Sequence, residues 1–256
     1  MTKKLIFYLL IFDAFLIAGI LLYFGIDWFW AVFPFAALFG FVALACSKIQ
    51  WNFFVSAIHS GNNSTQKIAL TFDDGPDPNY TPQVLDILKK HNAKATFFLI
   101  GKNIKQYPNL AERIEKEGHT IGNHSFSHSN FIDFKSKKGW IEELEQTDLE
   151  IQKATGRKPK FFRPPFGVTT PHLATALKNT KHLVIGWNVR SFDTSSRNPS
   201  KTVKKICKKI RSGSIVLLHD RHENIVPLLE QLLPEIERKN LSFATVNELI
   251  NEEPYI

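Results

Sequence analysis

Residues 1–46 contain four charged side chains, Lys3, Lys4, Asp13 and Asp27, which cancel. The full 256 residues carry 32 basic and 24 acidic groups and a net charge of +8. An apolar leader and a basic domain this different in character cannot share one aqueous core. Within the leader, residues 5–26 are broken only by Asp13, and residues 28–46 hold no charge. At about 1.5 Å per helical residue, either run crosses a hydrocarbon layer about 30 Å thick. The expectation is a membrane anchor over residues 1–46 made of two transmembrane helices. They would turn at Asp27, with Tyr23, Trp28 and Trp30 at the interface. A cleaved secretory signal is the plain alternative. The first run is too long for one, and no small-residue cleavage site follows closely. Asp13 works against the first span, because a carboxylate at mid-membrane costs about 2.5–3.5 kcal/mol. Lys3 and Lys4 favour a cytoplasmic N-terminus. Two spans would then return the following domain to the cytoplasm, whereas a single span would leave it outside.

Residues 47–66 read as a linker, the second half rich in Gly, Asn and Ser. From residue 67 onward, short apolar runs alternate with helical patterns. Strands are expected over residues 67–72, 95–100, 119–122, 183–187, 214–218 and 242–246. Helices are expected over residues 81–92, 109–117 and 140–155, with Gly118 and Gly156 as stops. This alternation predicts an α/β domain with a mainly parallel sheet, closed as a barrel or open. The chain is long enough to bury a core. With only Cys46 and Cys207 present, a disulfide scaffold and a multi-cysteine zinc fold are both excluded. The lysines at 201, 204, 205, 208 and 209 have helical spacing and read as a solvated face. No nucleic-acid recognition motif accompanies them, so no nucleic-acid partner is expected.

Four polar clusters fall at the ends of these strands, where barrels place their chemistry. Asp73 and Asp74 follow the first strand and precede Gly75-Pro76. On extended backbone two neighbouring side chains point apart, so one carboxylate can take a metal while the other stays free as a base. A surface Asp-Gly turn is the alternative. His124 and His128 follow the third strand, and on a helical turn they would share a face suited to a metal. Two exposed loop histidines are the alternative. Arg163-Pro164-Pro165-Phe166-Gly167 is a stiff turn in which the Phe166 amide is the first free N–H, a candidate oxyanion donor. Arg163 could pin a carboxylate bidentately or be simply solvated. His219 ends an apolar strand at its C-terminal mouth, which favours proton transfer over a core histidine.

The order and spacing of these clusters resemble the polysaccharide deacetylases with a NodB-type domain, carbohydrate esterase family 4. The matching stretches are Thr71-Phe72-Asp73-Asp74-Gly75-Pro76, the His124 and His128 pair, Arg163 to Gly167, Trp187 to Asp193, and Leu217-Leu218-His219. The resemblance covers residues 67–249 and implies a distorted (β/α) barrel with fewer than eight strands. It implies Asp74, His124 and His128 as ligands of a divalent metal, zinc expected. It implies Asp73 as general base, His219 as general acid and Arg163 as the group orienting Asp73. Asp193 would tune a proton carrier, Phe166 would donate its amide to the oxyanion, and Leu217 would line the acetyl pocket. The implied reaction is hydrolysis of an N-acetyl group on a glycan, with peptidoglycan or a chitin-like polymer as substrate. The catalytic domain, residues 67–256, would then stand on the extracytoplasmic side of the cell membrane. An O-acetyl esterase and a catalytically silent glycan-binding module are the competing readings.

The fourth stretch departs from the family pattern. Arg190 stands where an Asp is frequent, and Thr194 where a Trp is frequent. Phe166 replaces a common Tyr, harmless if its backbone does the work. Arg190 could repel the metal, pair with Asp193 or bind an anionic substrate.

Overall fold

The structure is a computed structural model and describes residues 3–256, the Lys4 side chain excepted. Helix α1 (Lys3–Tyr23) folds back on the one-turn α2 (Trp28–Ala31) and on α3 (Phe33–Ser47). The side chains are sorted in the reverse of a water-soluble helix pair. Ala14, Ala18 and Ala45 are buried, while Phe12 is 62% and Phe39 77% exposed. Small residues let the two backbones approach, and the bulky apolar groups face outward, as lipid-facing helices arrange them. Residues Leu5–Tyr23 and Trp28–Ser47, 19 and 20 long, are each long and apolar enough to cross a membrane. Lys3 Nζ donates to the carbonyls of Trp51, at 3.1 Å, and Asn52, so the first turn of α1 is tied to the start of the domain.

The domain is a curled, parallel sheet flanked by helices. In chain order its strands are β1 (Ala57–Ile58), β2 (Lys67–Asp73), β3 (Ala95–Leu99), β4 (Thr120–Asn123), β5 (Phe161–Phe162), β6 (Leu183–Ile185), β7 (Val189–Arg190), β8 (Ile215–His219) and β9 (Ser242–Phe243). Their order across the sheet is β1-β6-β5-β4-β3-β2-β8-β7, with β9 against the start of β2. Among the described residues no ladder joins β1 to β7, so the barrel stays open. The architecture is the expected distorted barrel, but with nine strands rather than fewer than eight. Four of them are two residues long, too short for any alternation to show in the sequence.

Alternation along β2 and β8 divides the core. Ile68, Leu70 and Phe72 of β2 and Val216 and Leu218 of β8 pack with Leu85, Leu88, Leu229 and Leu232 of the covering helices. The intervening Ala69, Ile215 and Leu217 face the barrel interior with Phe98 and Phe162. By the same period of two, Thr71, Asp73 and His219 belong to the interior face. The ladders pair Asp73 with both Phe98 and His219, Leu99 with Asn123, and Asn123 with Phe162. The C-terminal ends of five strands are therefore level, and the polar clusters meet at one mouth.

The helix α4 spans Thr81–Lys90, α5 Gly101–Gln106, α6 Pro108–Lys116, α7 Lys137–Thr155, α8 Pro171–Thr180, α9 Pro199–Lys209, α10 Ile225–Arg238 and α11 Val246–Ile250. Their ends follow local chemistry. Ser136 caps α7 by accepting from the Gly139 amide, and Gly156 closes it in the left-handed conformation. Thr170 and Asn198 cap helices that begin with Pro171 and Pro199.

The expected linker is in part built into the domain. Ile49 and Val55 are buried, and β1 pairs with β6 through Ala57 opposite Val184. The Thr169 amide donates to the Cys46 carbonyl at 2.9 Å. Gly61 lies so close to Leu249 that a Cβ there would meet its backbone at 2.4 Å. Polar composition hid this, because these residues contribute backbone edges and isolated apolar contacts rather than a periodic stretch.

Candidate active site

A cavity of about 190 Å³ opens at the level strand ends. Its lining includes Asp73, Asp74, His124, His128, Phe166, Leu217 and His219. The adjacent carboxylates both reach it. Asp74 has a φ of +78°, which takes the chain out of the extended geometry and turns its side chain to the same mouth as Asp73. The expectation that the two must diverge is thereby corrected; Asp tolerates this left-handed backbone better than most residues. The turn is held from behind by Asp220, whose Oδ2 accepts from Thr81 Oγ1 at 2.5 Å. A Cβ at Gly75 would sit 2.5 Å from that same oxygen, so only glycine fits here. Asp220 is fully enclosed, and burial pushes its carboxyl up to about 7.

His124 and His128 also converge, though not on a helical turn. They lie in a loop in which Ser125 and His128 have φ of 66° and 47°. The loop is pinned by Glu143 of α7, whose carboxylate accepts from the amides of Phe126 and Ser127 and from Ser127 Oγ. His124 Nδ1 meets the Arg163 carbonyl at 2.7 Å. A carbonyl only accepts, so this nitrogen carries the proton and Nε2 of a neutral ring presents its lone pair to the cavity. The Nε2 atoms of His124 and His128 lie 3.4 and 3.1 Å from Asp74 Oδ1. That oxygen is buried and makes no hydrogen bond. One ligand atom from each of the three residues falls within 4.8 Å of the others. Burial and the neighbouring His124 hold His128 down to about 4, in its neutral, ligating form. Burial works to raise the Asp74 carboxyl, but without a cation the protonated forms of the facing imidazoles, His124 first, pull it well below the usual range. An orphaned carboxylate oxygen facing the Nε2 atoms of two imidazoles fits a divalent cation; two His and one Asp suit zinc and leave positions open.

Asp73 is held by Arg163. Arg163 NH1 donates to Asp73 Oδ1 and to Thr71 Oγ1, both at 2.7 Å. Its Nε and NH2 donate to the carbonyls of Ile185 and Gly186. The guanidinium is fully buried, 4.1 Å from the centroid of Phe98. Asp73 is gripped through one nitrogen rather than bidentately. On the neighbouring strand, His219 Nδ1 lies 2.9 Å from Asp193 Oδ1. This carboxylate also accepts from Ser191 Oγ, the His219 amide and His222 Nε2. Burial alone would lower the His219 imidazole, but the Asp193 hydrogen bond raises it. Asp193 is in turn held well below the ordinary range, since His219 and His222 outweigh its burial.

The other expected residues also reach the cavity. Leu217 is buried on its wall. Phe166 takes a φ of 57° in the turn after Pro165, and its half-exposed ring lies 4.7 Å from His128. Arg190 does not pair with Asp193, whose oxygens are taken by His219 and His222. Its guanidinium lies instead over Phe192 and Trp187, 4.9 and 5.9 Å from the ring centroids. Three contributors escaped the sequence reading. Arg221 Nε is 3.1 Å from Asp74 Oδ2, His222 is the second imidazole on Asp193, and Ser191 bonds the same carboxylate. The only available signal was position: all lie within three residues of Asp193 or His219.

Known proteins resemble the chain over most of its domain. The polysaccharide deacetylase family profile matches residues 60–185. A peptidoglycan-N-acetylglucosamine deacetylase of Bacillus cereus is 38% identical over 199 residues, 73% of this chain and 90% of its own length. The peptidoglycan-N-acetylmuramic acid deacetylase PdaA of Bacillus subtilis is 31% identical over 201 residues, 77% of this chain and 76% of its own. The crystal structure of the peptidoglycan N-acetylglucosamine deacetylase Bc1960 superposes with a TM-score of 0.73 at 31% identity, covering 77% of this chain and 93% of that one. With its sheet, strand-end cluster and relatives in agreement, the chain belongs to the polysaccharide deacetylase family, hydrolases of carbohydrate esterase family 4.

Proposed function

We propose that this chain is a membrane-anchored, divalent-metal-dependent deacetylase that hydrolyses the N-acetyl group of an amino sugar in peptidoglycan. The observation that carries the reading is the pairing of Asp73 with His219 across β2 and β8, at the mouth that also holds the Asp74, His124 and His128 cluster. A metal held by those three residues would supply Lewis acidity, making water more acidic and the acetyl carbonyl more electrophilic. Asp73, fixed by Arg163, accepts a proton from the attacking water. The water oxygen bonds to the carbonyl carbon, and the Phe166 amide donates to the oxygen that gains charge. The carbon–nitrogen bond then breaks as His219 Nε2 delivers a proton to the departing nitrogen. The products are acetate and a free amine. Asp193 keeps His219 protonated and presents Nε2 to the cavity. Leu217 excludes water from the acetyl methyl group.

The outward-facing aromatic side chains of α1 and α3 support the membrane reading. That Lys3 meets the Trp51 and Asn52 carbonyls supports the start of α1 and the domain lying on one side. An extracytoplasmic catalytic domain therefore carries an extracytoplasmic N-terminus.

The test is acetate release by the full-length, zinc-loaded protein from peptidoglycan, N-acetylglucosamine oligomers and acetylated xylan, with chelated protein alongside. Chelator-sensitive acetate from an N-acetylated glycan is expected. Acetate from xylan alone would replace the reading with an O-acetyl esterase. No acetate and no bound metal would replace it with a silent module.

A further inference from the structure

We propose that Arg190 and Arg221 form an anion-binding rim on the active-site cavity, which selects glycans bearing a carboxylate or phosphate beside the N-acetyl group to be removed. The inference rests on the deacetylase reading and names the chemical class of its substrate. Both arginines line the cavity that holds Asp73, Asp74 and His219. Arg190 is exposed at the end of β7. Among the described residues its side chain makes no ion pair and no hydrogen bond, and its contacts are the rings of Phe192 and Trp187. A guanidinium resting on aromatic faces is fixed in place yet keeps its N–H donors for another partner. Arg221, half exposed, commits only Nε to Asp74 Oδ2. Its two terminal nitrogens make no hydrogen bond to a protein acceptor among the described residues.

The charge balance of the walls points the same way. Asp73 is matched by Arg163, and Asp193 by two imidazoles. Asp74 is the one remaining carboxylate on the lining, and it faces both Arg221 and the imidazole pair that fits a divalent cation. Arg190 has no counter-charge among the described residues. A neutral glycan would leave it solvated, whereas an anionic substituent would supply the missing partner through a charge-assisted, two-pronged contact.

The experiment uses the full-length, zinc-loaded protein with three oligosaccharides. One is neutral chitotetraose, one carries lactyl-ether carboxylates on alternate sugars, and one is 6-phosphorylated chitotetraose. The readout is the ratio of kcat/KM for each charged oligomer to that for the neutral one, within each protein variant. For wild type at least one ratio is expected to be about tenfold or more, expressed in KM and falling with added salt. Arg190→Gln should reduce that ratio about tenfold and Arg190→Lys should restore part of it. The oligomer that gives the high ratio identifies a carboxylate or a phosphate as the recognised group. Equal ratios in wild type and Arg190→Gln, or a preference for the neutral oligomer, would overturn the proposal. If no oligomer yields acetate, the deacetylase reading fails separately. Calorimetric binding then decides: charged oligomers bound more tightly by wild type than by Arg190→Gln uphold the rim, and equal binding removes it.

Discussion

Asp74 and Asp193 are both buried carboxylates, and each faces two imidazoles. Around Asp193 every contact runs from donor to acceptor: two ring nitrogens, a hydroxyl and an amide all point at its oxygens. Around Asp74 Oδ1 no donor among the described residues is engaged, and only Oδ2 meets one, Arg221 Nε. His124 has already committed its Nδ1 proton to the Arg163 carbonyl, so in the neutral ring the nitrogen turned to Asp74 Oδ1 is a lone pair. Lone pair against lone pair is repulsive until a cation stands between them. One residue composition would thus yield two devices, the proposed ligand set and the proposed proton carrier, and the Nδ1 hydrogen bond of His124 to the Arg163 carbonyl is what sets the first apart.

The comparison breaks most visibly under substitutions that separate metal from turnover. Asp73→Asn should cut kcat by about 10³-fold or more and leave bound zinc unchanged, read by acetate assay and elemental analysis of one sample. His124→Ala should lose both together. Retained zinc in His124→Ala would refute the ligand assignment. Next in size, Asp193→Asn should lower kcat/KM by about 10²-fold and move its alkaline limb. The sign follows from the hydrogen bond. Asp193 raises the pKa of His219, and activity is lost as pH climbs through that value, so removing the charge must shift the limb to lower pH. A limb that stays in place would mean that another group is the acid.

Zinc itself should stabilise the fold, because it relieves the Asp74 cluster and binds only the folded chain. At a thousand times its Kd the gain is about 4 kcal/mol, or about 10 °C in Tm for a domain of this size, measurable by calorimetry with and without chelator. No Tm change on chelation would argue against a metal in that cluster. The smallest effect belongs to His222→Gln, which keeps a donor near Asp193 Oδ2. It should cost less than about tenfold in kcat and move the alkaline limb less than Asp193→Asn does. A larger loss than that of Asp193→Asn would make His222 the proton carrier.

Much of this site was legible because its members sit at the ends of apolar runs. Asp73, His124, Arg163 and His219 each end a strand or follow one at once, and a parallel sheet brings such ends level. What the chain concealed was backbone handedness. The positive φ values of Asp74, Ser125 and His128 turn side chains that regular geometry would send elsewhere. No periodicity reports such angles. Arg221 and His222 were hidden in a polar loop after His219, where only the folded turn shows which charges face inward. Strand β1 was hidden in turn-like composition for a related reason: two residues and a few scattered apolar side chains suffice to extend a sheet that already exists.

The burial of Ile49, two residues past the end of α3, bears on where the enzyme can act. The chain passes from hairpin to domain core without slack. Set in a bilayer, such a joint holds the catalytic mouth at a fixed standing height. A compact domain of about 200 residues measures about 40 Å across, so the mouth lies no farther than that from the headgroups. A glycan strand beyond this layer would stay untouched, however well its sugars fit. The depth of wall that can be deacetylated would then be set by the size of the domain, and only strands that pass close to the membrane would carry the free amine.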